Sequence, residues 1–365
     1  MSKQIFRVAV IGTGMIANAA HIPAWKDLKE DVELVGVADV RPEAAKETAA
    51  RHNIPRAYSD PQKMLDELKP DLVSVCTPNV YHKPWTIAAL KAGAHVLCEK
   101  PIATRLSDAV EMYATAKAAG KTLFASQSLR FMNAFQAARD MVASGALGDI
   151  YYCEINSIRR RGVPKWGFFH MLEHNAGGPL CDLGVHILDF LFWTIGNPKV
   201  MTASASTYMK LANQDEGLVT SLADSGAPIG VFTPRKYDWH EFDEEDFAAG
   251  FLRLQNGASV VIKTSWAINL PENFTISIAG TKGGLQLPPV KVFNNQNRYQ
   301  SEVNLRVLPD RDVAFSGHYG LTTNVIRTLR GEEDALIRQD EVLNVVRAID
   351  ALYRSAAAGK EIQAD

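Results

Sequence analysis

Phe6-Arg7-Val8-Ala9-Val10-Ile11-Gly12-Thr13-Gly14-Met15-Ile16-Ala17 reads as a buried strand running straight into a glycine turn that opens a helix. Gly12 permits the tight turn, and Gly14 lets the backbone approach a pyrophosphate. Ala17 stands at the third small position and still allows close helix–sheet packing. The amides around Thr13, Met15 and Ile16 then face phosphate charge at the helix start. Asp39 ends the second apolar run about twenty residues after the turn, where such a site keeps an acid for the ribose, and Val40 and Arg41 follow it. Asp39 would accept hydrogen bonds from ribose hydroxyls and repel a 2′-phosphate. Hydrogen bonds to charged groups contribute about 1.5–3 kcal/mol, so NAD is expected over NADP by about tenfold to a hundredfold. Arg41 offsets part of that repulsion and leaves NADP open.

Outward from this turn, apolar runs (FRVAVIG, VELVGVAD, DLVSVCTP, AHVLCEKP, KTLFASQS) alternate with helical stretches at 16–29, 42–52, 61–68, 81–92 and 107–119. Continuous apolar strands with helices between them predict a doubly wound parallel α/β sheet of the Rossmann type over residues 1–127. The pattern then changes. Helices are expected at 134–144 and 180–195, and alternating runs on either side of Asn256-Gly257 predict a hairpin with a type I′ turn. Residues 128–365 therefore read as an α+β domain with a large, mostly antiparallel, open-faced sheet, expected to carry substrate binding and self-association. A helix over 340–357 closes the chain and is expected to pack back toward the N-terminal domain. Residues 213–239 read as irregular, a loop over the site.

The 365 residues fit two domains of ordinary size. Lys+Arg number 39 against Asp+Glu 41, which argues against nucleic acid or a membrane surface as the main partner, since both favour a basic excess. No apolar run approaches the roughly 20 residues of a spanning helix, and the start does not read as a signal peptide. Cys76, Cys98, Cys153 and Cys181 show no CxxC pairing and are expected to be reduced thiols, hence a cytoplasmic setting.

Further motifs lie at strand ends. The fourth strand runs into Cys76-Thr77-Pro78-Asn79, with His82 behind, and the fifth into Glu99-Lys100-Pro101. Much later comes Gly177-Gly178-Pro179-Leu180-Cys181-Asp182-Leu183-Gly184-Val185-His186. Asp182 and His186 are four apart, hence on one helix face. With the GTGMIA turn and the ADVRPE segment, these motifs resemble the glucose–fructose oxidoreductase/inositol dehydrogenase (Gfo/Idh/MocA) family, from Phe6 to the terminal helix. The resemblance implies that Lys100, Asp182 and His186 surround the substrate carbon facing the nicotinamide. It also places Thr77, Pro78, Asn79, His82 and Glu99 along the nicotinamide and its ribose, and puts a cis bond before Pro101. Oxidising a secondary alcohol requires removing its proton as hydride leaves, which a histidine or a lysine of lowered pKa can do. His186 is expected as acceptor, Lys100 as the polarising group and Asp182 as their positioning partner, with the choice of base between Lys100 and His186 open. Mutual repulsion should depress both pKa values, Asp182 restraining the shift.

Arg159-Arg160-Arg161-Gly162-Val163-Pro164-Lys165-Trp166-Gly167-Phe168 is similar to a segment of the glucoside 3-dehydrogenase branch of that family. It implies oxidation of a glucoside, O- or C-linked, at ring carbon 3. Arginine forks suit vicinal hydroxyls and an indole face suits a sugar ring, so Arg159, Trp166 and, at the domain junction, Arg130 are expected at the substrate. His170-Met171-Leu172-Glu173-His174 matches a zinc-protease pattern, but the chain breaks at once into Asn175-Ala176-Gly177, so no metal is expected. Inositol oxidation, glycoside cleavage through a transient 3-keto sugar, and a non-catalytic dinucleotide sensor are the alternatives. The open sheet face predicts a homo-oligomer.

Overall fold

The computed structural model describes residues 4–214, 230–232 and 235–365. Most of the expected irregular loop at 213–239 lies outside the described residues. Among them the strands form two sheets.

The N-terminal sheet comprises β1 (Phe6–Ile11), β2 (Val32–Ala38), β3 (Ala57–Tyr58), β4 (Leu72–Val75), β5 (His95–Cys98) and β6 (Leu123–Ala125). Their order is β3-β2-β1-β4-β5-β6, all parallel. Apolar side chains cover both faces: Val8, Ala9 and Ile11 of β1 and Val73 and Val75 of β4 are buried. The chain leaves β1 toward one side and enters β4 from the other, so their carboxyl ends flank a crevice, the place where such sheets bind ligands.

The first helix is not the continuous one expected. Ala17–His21 is a wide π turn, followed by an ordinary helix over Ile22–Asp27 with Pro23 in its first turn. Proline lacks the N–H of the α ladder and crowds the carbonyl four residues back, so the preceding turn widens. Residues 180–195 behave alike: a π turn over Leu180–Gly184 precedes the α-helix Val185–Thr194.

The second sheet adds β7 (Ile150–Ile158), β8 (Val200–Tyr208), β9 (Phe247–Leu254), β10 (Ser259–Ser265), β11 (Asn273–Gly280), β12 (Gly283–Leu287), β13 (Lys291–Gln296), β14 (Tyr299–Asn304) and β15 (Ile362–Gln363). The order is β14-β13-β12-β11-β7-β10-β9-β8-β15, antiparallel except for β7 beside β10. The helices Val185–Thr194 and Gln339–Ala358 cover one face, burying Leu188, Phe190, Ile349 and Leu352 against Ile155, Val260, Ile262 and Leu252. The β9–β10 turn differs from expectation. Gly257 has φ 86°, Asn256 has no positive φ, and Gly257 N–H bonds to Leu254 O at 3.0 Å. This is a type I turn closed by a left-handed glycine, the longer relative of the two-residue I′ turn.

Two C-terminal helices, Gly317–Leu329 and Gln339–Ala358, bury Leu321, Val325, Val342 and Val346 in the same cluster as the core of the parallel sheet. At that joint lies Arg130, fully buried. Its guanidinium meets both oxygens of Asp189 at 2.8 and 2.6 Å and also the Glu341 carboxylate. The expectation that Arg130 touches substrate is thereby corrected: it does not line the cavity described below, and its charge is spent on two buried carboxylates.

Candidate active site

A single cavity of about 1100 Å³ runs from the GTGMIA turn, past the carboxyl ends of β1 and β4, to the segment following β7. All fourteen residues expected at the dinucleotide line it, as do Arg159, Trp166, Asp182 and His186. At the turn, Gly12 has φ 90°, and a Cβ there would lie 2.6 Å from the backbone carbonyl of Cys76. Only glycine lets the ends of β1 and β4 approach so closely. A Cβ on Gly14, by contrast, would meet no protein atom within 4 Å, so the space beside the turn is open to a ligand. Asp39 holds this end: its Oδ2 accepts from Thr13 N–H and Oγ1, both at 2.9 Å, and its Oδ1 from Arg41 N–H at 2.9 Å. Thr77 Oγ1 is buried without a protein partner and lines the cavity. Orphaned buried polar atoms call for a ligand, and this set fits a dinucleotide.

Two of these residues also brace the frame. His82 bridges Thr77 O at 2.9 Å and Pro101 O at 2.7 Å, bracing the ends of β4 and β5. Asn79 donates to Asn175 O at 2.9 Å and so ties the β4 loop to the second domain. The Lys100–Pro101 bond is cis.

At the centre the two halves of the chain meet. Lys100 Nζ donates to Asp182 Oδ1 at 2.8 Å and to Asp182 O at 3.0 Å. The other carboxylate oxygen accepts from Trp266 Nε1 at 3.2 Å. Burial opposes the Asp182 charge, but Lys100 and then Arg159 outweigh it and hold the carboxyl below its ordinary value. His186 is pushed down to about 3, first by burial and then by the Lys100 charge, so it is neutral at working pH. Its Nδ1 has no protein partner.

Beneath Lys100 lies a network that sequence reasoning did not find. Glu99 Oε1 meets His21 Nε2 at 2.8 Å and His318 Nε2 at 3.5 Å, while Oε2 accepts from Lys100 N–H at 3.0 Å. Burial opposes this charge too, yet the two imidazoles hold Glu99 well below the usual carboxylate range. Behind it, His21 Nδ1 meets Ser74 Oγ at 3.2 Å, and Ser74 Oγ accepts from Trp25 Nε1 at 2.8 Å. The ligand atoms of His21, Glu99 and His318 lie within 4.8 Å of one another, but the contacts are those of hydrogen bonds. Glu99 lies 78 positions from His21 and 219 from His318, which leaves no local pattern; a histidine within the apolar run 19–25 is the signal that could have pointed to it.

The Gly177-Gly178 pair also has a physical cause. Glu244 accepts from Gly177 N–H at 2.7 Å, and Glu245 from Gly178 N–H at 2.9 Å and Leu180 N–H at 3.2 Å. A Cβ on Gly178 would lie 2.1 Å from Glu245 O. Two carboxyl groups thus press against the start of the helical run that carries Asp182 and His186 and accept from its free N–H groups. The zinc-like pattern dissolves: His174 Nδ1 meets Tyr81 OH at 3.0 Å, and His170 Nε2 lies 3.6 Å from Glu241.

Comparison with known proteins agrees with this geometry. Residues 6–127 match the oxidoreductase family with an NAD-binding Rossmann fold, and residues 135–286 match the GFO/IDH/MocA C-terminal domain. The D-glucoside 3-dehydrogenase of Escherichia coli K12 is 33% identical, covering 100% of this chain and 99% of that protein. The myo-inositol 2-dehydrogenase of Thermotoga maritima is 30% identical over 65% of this chain and 71% of its own length. The crystal structure of the WlbA dehydrogenase from Bordetella pertussis, in complex with NADH and UDP-GlcNAcA, superposes with a TM-score of 0.76 at 26% identity, covering 99% of both chains. The chain belongs to the GFO/IDH/MocA family of oxidoreductases, with an NAD-binding Rossmann domain at its N-terminal end.

Proposed function

We propose that this enzyme oxidises a ring secondary hydroxyl of a sugar, carbon 3 of a glucoside, to the 3-keto sugar with NAD. The observation that carries the reading is the 2.8 Å contact of Lys100 with Asp182, beside a neutral His186, in one cavity with the glycine turn. Bound NAD supplies the hydride acceptor. Lys100 directs an N–H not used by Asp182 at the substrate oxygen and stabilises the negative charge that builds there. His186, neutral and on the cavity wall, takes the hydroxyl proton as the carbon–hydrogen bond breaks. Asp182 is held by Lys100 and Trp266 and acts as their fixed counter-charge. Arg159 and Trp166, both on the cavity wall, hold the sugar ring.

The likeness to the glucoside enzyme spans the full chain, whereas the inositol enzyme matches 65% of it. Incubation with NAD and methyl glucoside should yield a 3-keto glucoside and NADH; a panel that turns over inositols alone would refute the assignment. Lys100→Met should lower kcat by about 10²–10⁴-fold. Four buried, unpaired cysteines support a reducing cytoplasm. The face of the second sheet opposite its helices, with Phe251, Val261 and Thr275 half-buried, supports association with further copies of the chain.

A further inference from the structure

A dinucleotide and one sugar ring leave part of the cavity wall unexplained. Along part of that wall three rings follow one another. Tyr81 and His174 lie with centroids 5.8 Å apart, and His174 and Phe168 with centroids 4.4 Å apart. The Arg235 guanidinium sits 5.6 Å from the Phe168 centroid. All four residues line the same cavity as Lys100 and His186. Tyr81 stands two residues after Asn79, so the row starts at the segment that follows β4.

Much of the row's polar capacity is already used. Tyr81 OH and His174 Nδ1 share a hydrogen bond, and Arg235 makes a two-pronged ion pair with Glu241 at 2.6 Å on each prong. A second sugar would find few partners for its hydroxyls against such a wall, and each one left unpaired is costly. An aromatic ring would gain burial, ring–ring contact and the guanidinium face. An independent observation points to a ligand here: Trp166 Nε1, on a side chain 7% exposed and braced edge-on by Phe169, is a buried donor without a partner. That N–H, on the wall of the same cavity, suits a sugar oxygen.

We propose that Tyr81, His174, Phe168 and Arg235 form an aglycone subsite that selects glucosides carrying a flat aromatic aglycone, with Trp166 Nε1 donating to the sugar. This rests on the dehydrogenase reading above. The test compares NADH production from methyl, phenyl and cellobiosyl substrates of one anomeric form. Phenyl glucoside should show about a tenfold higher kcat/KM than methyl glucoside, equivalent to about 1.4 kcal/mol, through a lower KM. Phe168→Ala and His174→Ala should bring that ratio toward one, and Phe168→Tyr should keep it. A wild-type ratio near one, or cellobiose outrunning phenyl glucoside, overturns the subsite and leaves the dehydrogenase standing. If no glucoside is oxidised, the dehydrogenase reading fails, and equilibrium dialysis of phenyl glucoside against the NADH-loaded protein decides the subsite. Absent binding, or binding undiminished in Phe168→Ala, overturns it.

Discussion

At the scale of single residues, the sequence brings out the side chains proposed to carry chemistry better than it shows what holds them. Lys100, Asp182 and His186 were legible because each stands in a short motif at a strand or helix end. Trp266, His21 and His318 were not, since each acts on a partner 78 to 219 positions away or, for Trp266, 84 away. Arg130 was misassigned for the same reason: its carboxylates lie 59 and 211 residues along the chain. Asp39 offers a test at this scale. Its carboxylate is fixed by Thr13 and Arg41 at the adenosine end of the cavity. Asp39→Ala should raise the ratio of NADP to NAD binding by about tenfold to a hundredfold, measured by titration of each dinucleotide.

At the scale of elements, period and composition located most strands and helices but not their local irregularities. Both π turns fall where proline interrupts or opens a helical run, and each carries a site residue, His21 in one and Asp182 in the other. A hydrophobic pattern does not register one extra residue per turn. The Glu244–Glu245 support of the second run is open to test through pH. Burial, and then Glu245, push Glu244 up to about 8. The folded state thus keeps a proton that the unfolded chain, with an ordinary carboxyl near 4.5, has already released. Stability from this group is full below about 4.5 and is lost as pH rises through about 8. Glu244→Gln keeps an oxygen for Gly177 N–H without that proton. Urea unfolding should show the variant gaining on the wild type by up to a few kcal/mol between pH 5 and pH 9.

At the scale of the whole molecule, the parallel sheet followed from the alternation of strand and helix signals, and the mostly antiparallel second sheet from its alternating runs. Their mutual placement did not, because it depends on buried polar joints. Arg130 with Asp189 and Glu341 is the chief one, linking the segment after β6 to the helices Val185–Thr194 and Gln339–Ala358. Arg130→Met leaves buried Asp189 without its cation and takes one of two arginines from Glu341, and should cost about 3–5 kcal/mol of stability by chemical unfolding, while the folded fraction retains its affinity for NAD.

The hydrogen-bond chain behind Glu99 ends on the indole of Trp25, a group that can only donate, and Trp25 and Ser74 are wholly enclosed. Nothing along that path can carry acid out through the back of the protein. On the proposed mechanism, a proton taken from the sugar finds no exit along that chain, so discharging the base falls to the cavity that admits the substrate.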